Sequence, residues 1–228
     1  MITKDTPITC PVGETHCDYL SELPQLRQQN TDLLEQVRTD TLTGIFNFRF
    51  FIQSLELEME RTRRSGQPTT LIMFDLDHFK QVNDSWGHDF GNTALVQTAT
   101  SLQKAVRKLD IPCRYGGEEF AVILPSTNLL IGIRVADRIR KMIASTPLQQ
   151  GEKDVNLTVS AGVDVFLASQ NETPEEFTKR TDQYLYTAKR EGRNCVRHAA
   201  TGLAKDKRNV SQDEKDALYK TFNNSSSL

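Results

Sequence analysis

Apolar side chains recur along this chain at two periods, and they divide it into helices and strands. Between Tyr19 and Thr39, Leu20, Leu23, Leu26, Asn30, Leu33 or Leu34 and Val37 stand three and four apart. That is a helical stripe, and its near-heptad spacing permits a short coiled coil. Packing on its own domain and dimerisation explain the stripe equally well. Phe51, Leu55 and Met59 mark a second helix after a capped turn at Asp40 to Phe50, broken by Ser65-Gly66-Gln67-Pro68. Thr69 to Phe74 is a β-branched and apolar run, which predicts a buried strand. Leu95, Ala99, Leu102, Val106 and Leu109 predict an amphipathic helix. Ile111–Tyr115 and Phe120–Leu124 predict a hairpin around Gly116-Gly117. Asn128 caps a helix carrying Leu129, Ile133, Ala136 and Ile143. A strand over Val155–Val165, a helix opened by Pro174 and running to Ala188, and a short strand over Cys195–His198 complete the pattern. From residue 70 the order is β-α-β-β-α-β-α-β. It predicts an α+β sandwich, with helices on a mainly antiparallel sheet. The division read here is an N-terminal segment over 1–39, a domain over 40–198, and a disordered or partly helical tail over 199–228.

Composition narrows the function. The formal net charge is −2 over 228 residues, and the stretch 40–198 is charge-balanced. Bulk binding to a nucleic-acid backbone is not expected. No run approaches the length of a membrane span, and the N-terminus lacks the apolar core of a signal peptide. With four Cys and no disulfide framework, a reducing cytoplasm is the expected setting. Cys10, His16 and Cys17 could form half of a soft metal site, but free cysteines are the favoured reading.

Asp75-Leu76-Asp77 follows an apolar strand, and Glu118-Glu119 sits in the Gly-Gly hairpin. Carboxylates gathered at buried strand ends are costly unless a cation or hydrogen bonds compensate. Hard oxygen donors there suit Mg²⁺, completed by substrate phosphates. Asp-x-Asp alone favours ordinary solvated loop acids. Gly87 to Gly91 reads as a second glycine-bounded loop before a helix N-terminus, a place that favours anions. Lys80, Lys189 and Arg193 could neutralise phosphate, although each by itself reads as a surface charge. Pattern and spacing reach as far as metal-dependent phosphate chemistry.

Arg114-Tyr115-Gly116-Gly117-Glu118-Glu119-Phe120 resembles the signature of the GGDEF family, in its GGEEF form. Asp40-Thr41-Leu42-Thr43-Gly44-Ile45-Phe46-Asn47, Phe74 to Asp84, Gly87-His88 to Gly91, and Ala188-Lys189 to Asn194 resemble four further motifs of that family, in order. The resemblance implies a palm-like α+β domain similar to nucleotide cyclases. It implies an enzyme that joins two GTP into cyclic di-GMP and releases pyrophosphate, acting as a dimer. It assigns Mg²⁺, with Mn²⁺ as an alternative, to Asp75, the Leu76 carbonyl and Glu118, and gives Glu118 a part in deprotonating the attacking 3′-hydroxyl. Amides near His78 and Phe79, with Lys80, Lys189 and Arg193, would hold phosphates. Asn83 would read guanine, while Gly116, Gly117 and Glu119 support the site. Arg107 and Asp110 match the family's R-x-x-D inhibitory product site, with Arg138 in support. One position departs: Asn92 stands where the family usually has Asp. An amide both donates and accepts, so it suits a guanine or an adenine edge. A receptor for cyclic di-GMP without activity, and a cyclase with mixed GTP and ATP use, are the alternatives.

Overall fold

The computed structural model describes Glu22, residues 24–29, residues 38–151 and residues 153–200. Residues 24–29 are helical. The rest of the coiled-coil stripe, Cys10, His16, Cys17 and the tail from residue 201 lie outside the described residues.

Asn47 caps helix α1 (Phe48–Ser65), its side chain accepting from the Phe50 amide at 3.0 Å. Gly66 ends the helix at φ 74°, a conformation glycine adopts without strain. Strand β1 (Thr69–Leu76) follows, then short helix α2 (Phe79–Trp86) and helix α3 (His88–Ala105). Strands β2 (Ile111–Arg114) and β3 (Glu119–Leu124) form the hairpin. Helix α4 (Leu129–Ala144) is capped by Asn128. Strands β4 (Leu148–Gln150) and β5 (Lys153–Val155) make a separate ribbon. Strand β6 (Val159–Phe166), helix α5 (Pro174–Arg190) and strand β7 (Val196–His198) complete the order. Pro174 and a Thr173/Glu176 capping box start α5.

The main sheet runs β2-β3-β1-β6-β7. Its pairs are antiparallel except β6 with β7, which is parallel. This is the α+β sandwich that the pattern predicts. Central strand β1 is buried along its whole length because both faces are covered. Ile72, Phe74 and Leu76 meet Phe90, Ala94 and Leu102 of α3 and Ala136 and Ile139 of α4. Leu71 and Met73 meet Phe51, Leu55 and Met59 of α1 and Phe177 and Leu185 of α5.

Three expectations need correction, and one helix was not foreseen. The third predicted helix stops at Ala105, and Leu109 is 79% exposed. Asp110 accepts from the Arg107 amide at 2.7 Å, so a local side-chain bond replaces the helical one. Residues 88–91 are the first turn of α3 rather than a loop, with only Gly87 outside the helix. The predicted strand over Val155–Val165 splits, because β5 pairs with β4 while Leu157 turns into the core. Helix α2 carries too little apolar periodicity to be seen in the pattern; Phe79 is its one buried residue.

Asp164 on β6 is fully buried, and its Oδ2 lies 2.6 Å from Arg180 Nη1 without an aligned hydrogen bond. Burial raises its pKa from the ordinary value to about 6, against the pull of the Val165 amide and Arg180. The folded state therefore binds this proton more tightly than the unfolded chain. The cost of ionising Asp164 appears as pH rises above the ordinary carboxylate range and is complete above about 6. Melting temperatures from pH 4 to pH 8 should show wild type losing ground against Asp164→Asn as pH rises; parallel curves would contradict this.

A candidate nucleotide and metal site at the strand tips

Register places the acids. Asp75 pairs with Glu119 of β3 on one side and with Ser160 of β6 on the other. The Leu76 amide donates to the Glu118 carbonyl at 3.3 Å, which ties the hairpin to the end of β1. Asp75 and Leu76 thus belong to the strand itself, where a loop was the simplest reading. Asp75 is only 7% exposed, and Lys189 Nζ from α5 lies 2.7 Å from its Oδ2. Burial pushes the Asp75 carboxyl up; Lys189 pulls it down and the Asp77 charge adds to the rise. Glu118 and Glu119 are also raised, first by burial and then by the Asp75 charge.

The hairpin is held from below. Tyr115 and Gly116 amides donate to the Glu119 carbonyl at 2.8 and 3.2 Å. Arg114 donates to the Gly117 carbonyl from Nη2 at 2.8 Å and from Nε at 3.2 Å. Its Nη1 reaches both Asp40 oxygens at 3.1 Å. Burial opposes the Asp40 charge, but bonds from Thr43 and Arg114 outweigh it and hold the carboxyl below its usual range. Neither Gly116 nor Gly117 is left-handed, so their role here is space. A Cβ on Gly116 would stand 2.9 Å from Glu119 Oε2, while one on Gly117 would meet nothing within 4 Å.

The phosphate candidates sit around this edge. His78 precedes α2 at φ 59° and offers no side-chain cap, so the Phe79 and Lys80 amides at the helix start have no intrahelical partner. Lys80 and Arg193 are exposed, and Arg193 acts electrostatically on Asp75. Asn83 is half-buried against Gly91, where a Cβ would come 1.8 Å from Asn83 Oδ1. Asn92 is the next residue and is exposed. Away from these residues in sequence, Asp110 (8% exposed) accepts from the Arg107 amide, and Arg138 donates to the Ala105 carbonyl at the end of α3. Burial raises the Asp110 carboxyl, while the Arg107 amide and the Arg107 and Arg138 charges oppose the rise. The three residues of the R-x-x-D reading therefore converge.

The donors fit a small divalent cation. The Asp75 charge raises the cost of ionising Glu118, and a cation between them would remove it. Among the described residues no three His, Cys, Asp or Glu side chains gather at one point. Mg²⁺ asks for one or two carboxylates, with carbonyl, water and phosphate oxygens completing the shell. Sequence reasoning left two parts unassigned. Asp77 lay within the flagged Asp-x-Asp, and Gly91 within the flagged glycine pair, but their roles depend on contacts.

A five-stranded sheet with helices on both faces and acids at its central strand tips defines a palm-like domain of the nucleotide-cyclase type. The family description "Diguanylate cyclase, GGDEF domain" matches residues 37–195, and the chain belongs to the GGDEF family. It is 41% identical over 173 residues to the response regulator PleD of Caulobacter vibrioides, covering 75% of this chain and 38% of that protein. It is 40% identical over 163 residues to diguanylate cyclase DgcP of Pseudomonas aeruginosa, covering 72% of this chain and 24% of that one. The chain thus spans well under half the length of these relatives. Among solved structures, the coiled coil and GGDEF domain of DgcB from Caulobacter crescentus, in complex with c-di-GMP, superposes with TM-score 0.75 at 29% identity. That match covers 80% of this chain and 96% of the other. The active GGEEF domain of a Vibrio cholerae diguanylate cyclase superposes with TM-score 0.64 at 30% identity, covering 68% and 98%.

Proposed function

We propose that this chain is a diguanylate cyclase that converts two GTP into cyclic di-GMP and two pyrophosphates. The observation that carries the reading is the pairing of the β1 end with the β2–β3 hairpin. It sets Asp75 and Glu118 beside Lys189 and the open start of α2. Each 3′-hydroxyl attacks the α-phosphorus of the other GTP. A P–O bond forms, the bond to pyrophosphate breaks, and the hydroxyl proton passes to a base, for which Glu118 is the candidate. Phosphoryl transfer depends chiefly on positioning and charge neutralisation, which Lys80, Lys189, Arg193 and the α2 amides supply.

Mg²⁺, or Mn²⁺, would be held by Asp75, the Leu76 carbonyl and Glu118. When bound it neutralises triphosphate charge and favours ionisation of the hydroxyl. Because two GTP must face each other, the working unit is a homodimer, and the Leu20–Val37 stripe is its candidate seam. Arg107, Asp110 and Arg138 form the product-inhibition site, since an Arg fork suits guanine or phosphate. Among the described residues no helix is long and apolar enough to cross a membrane. A cytoplasmic setting, where GTP is supplied, is part of the proposal.

Asn92 supports a relaxed purine choice. Asp accepts from the guanine N1–H and N2 amino group, whereas an amide can turn to serve either purine. Purified protein with Mg²⁺ and GTP, ATP or both should yield cyclic di-GMP from GTP, with mixed-purine product in the competition. Asn92→Asp should suppress the mixed product several-fold. Mass spectrometry decides: equal specificity in the two proteins sinks the Asn92 role, and absence of any product sinks the cyclase reading.

A further inference from the structure

Asp77 is 5% exposed and spends both oxygens inside the protein. Oδ1 accepts from Ser160 Oγ at 2.6 Å. Oδ2 accepts from Thr158 Oγ1 at 2.7 Å and from the Asn194 amide at 2.9 Å. A carboxylate so engaged has little left for a cation, although it stands two residues from Asp75. Its third bond reaches the turn after α5, where Arg193 and Asn194 have φ of 62° and 43°. Two consecutive left-handed residues that are not glycine are strained, and persist only where their surroundings impose them. Asn194 is pinned from its other side as well. Arg140 of α4 donates to its Oδ1 at 2.8 Å and to its carbonyl at 3.3 Å, while Asp137 fixes the guanidinium at 2.8 Å.

We infer that Asp77 is a positioning residue: it clamps the Asn194 amide and so aims Arg193 at the nucleotide site, without ligating metal. The inference rests on the proposed phosphate role of Arg193. The clamp joins the end of β1, which carries Asp75, to the turn that carries Arg193. The two therefore move together.

Asp77→Asn tests this, because the amide oxygen still accepts from Asn194. Standing in place of Oδ2, that oxygen also accepts from Thr158, and the amide N–H can donate to the Ser160 hydroxyl, which can reverse its role. Asp77→Ala leaves the Asn194 amide unanswered. Hydrogen exchange of the peptide spanning Arg193 and Asn194 should quicken in Asp77→Ala and stay near wild type in Asp77→Asn. Calorimetric binding of 3′-deoxy-GTP with Mg²⁺, which cannot cyclise, should weaken about tenfold in Asp77→Ala, the effect of losing hydrogen bonds to a charged acceptor. Asp77→Asn should stay within about threefold. Unchanged exchange in Asp77→Ala, or loss in Asp77→Asn that added Mg²⁺ reverses, would overturn the clamp. If Asp77→Ala does not fold, Asp77→Asn alone decides, since a lost ligand weakens binding and a preserved clamp does not. Arg193→Ala binding 3′-deoxy-GTP as tightly as wild type would refute the phosphate role of Arg193, while the exchange result would still report on the clamp.

Discussion

Glu118→Gln should slow cyclic di-GMP formation by about a thousandfold, some 4 kcal/mol of barrier, while the folded protein becomes no less stable. The two halves of this expectation come from the same geometry. Glu118 sits on the hairpin opposite the end of β1, with its carboxyl raised by burial and then by the Asp75 charge. A raised carboxyl pKa means that ionisation works against the fold above the ordinary carboxylate range. Gln keeps the shape and removes the charge, so the melting temperature at pH 7.5 should stay level or rise. The same change removes the proposed metal donor and the candidate base at once. Pyrophosphate release under saturating GTP and Mg²⁺ measures the loss, and thermal melts measure the gain. Full activity in this variant would take Glu118 out of the chemistry. A large drop in melting temperature would show that the carboxylate is structural.

Gly162→Ala should be the most destabilising small change outside the site, costing about 3 kcal/mol. Gly162 lies mid-strand in β6, beneath α5. A Cβ there would stand 2.4 Å from the Leu185 amide nitrogen and 2.5 Å from the Thr181 carbonyl oxygen. Both are backbone atoms of a packed helix, so no rotamer change relieves the overlap. Helix α5 must shift as a body, and with it Lys189 beside Asp75. For a domain of this size the melting temperature should fall by roughly 6–12 °C. Gly117→Ala is the matched control: a Cβ there meets nothing within 4 Å. Its melting temperature should stay within about a degree or two of wild type. Equal stability in the two variants would mean that α5 stands off β6 more loosely than the contacts indicate.

Both predictions turn on contacts between elements distant in the chain, which marks the limit of what periodicity conveys. Helices α1, α4 and α5 were legible because each carries caps and an apolar stripe at its own period. Strand β1 was legible because both of its faces are buried, so apolar residues run without interruption. Helix α2 was not: eight residues with one buried side chain leave no stripe to read. The end of α3 was misplaced because Asp110 captures the Arg107 amide, a bond that no hydropathy pattern records.

The site divides in the same way. By itself, the sequence determined which side chains are the candidates for metal and phosphate, and in what order they occur. Carboxylates at strand ends and cations near a helix end are local facts, set by residue type and spacing. The antiparallel pairing of β1 with β3 and β6 alone decided that Asp75 meets Glu119 and Ser160. Just past the last residue of β1, Asp77 turns inward to Thr158, Ser160 and Asn194. Two acids one residue apart have the same chemistry in a sequence. They part company because β1 ends at Leu76: Asp75 stays in the strand beside Lys189, while Asp77 lies in the turn that follows and is met by partners far along the chain.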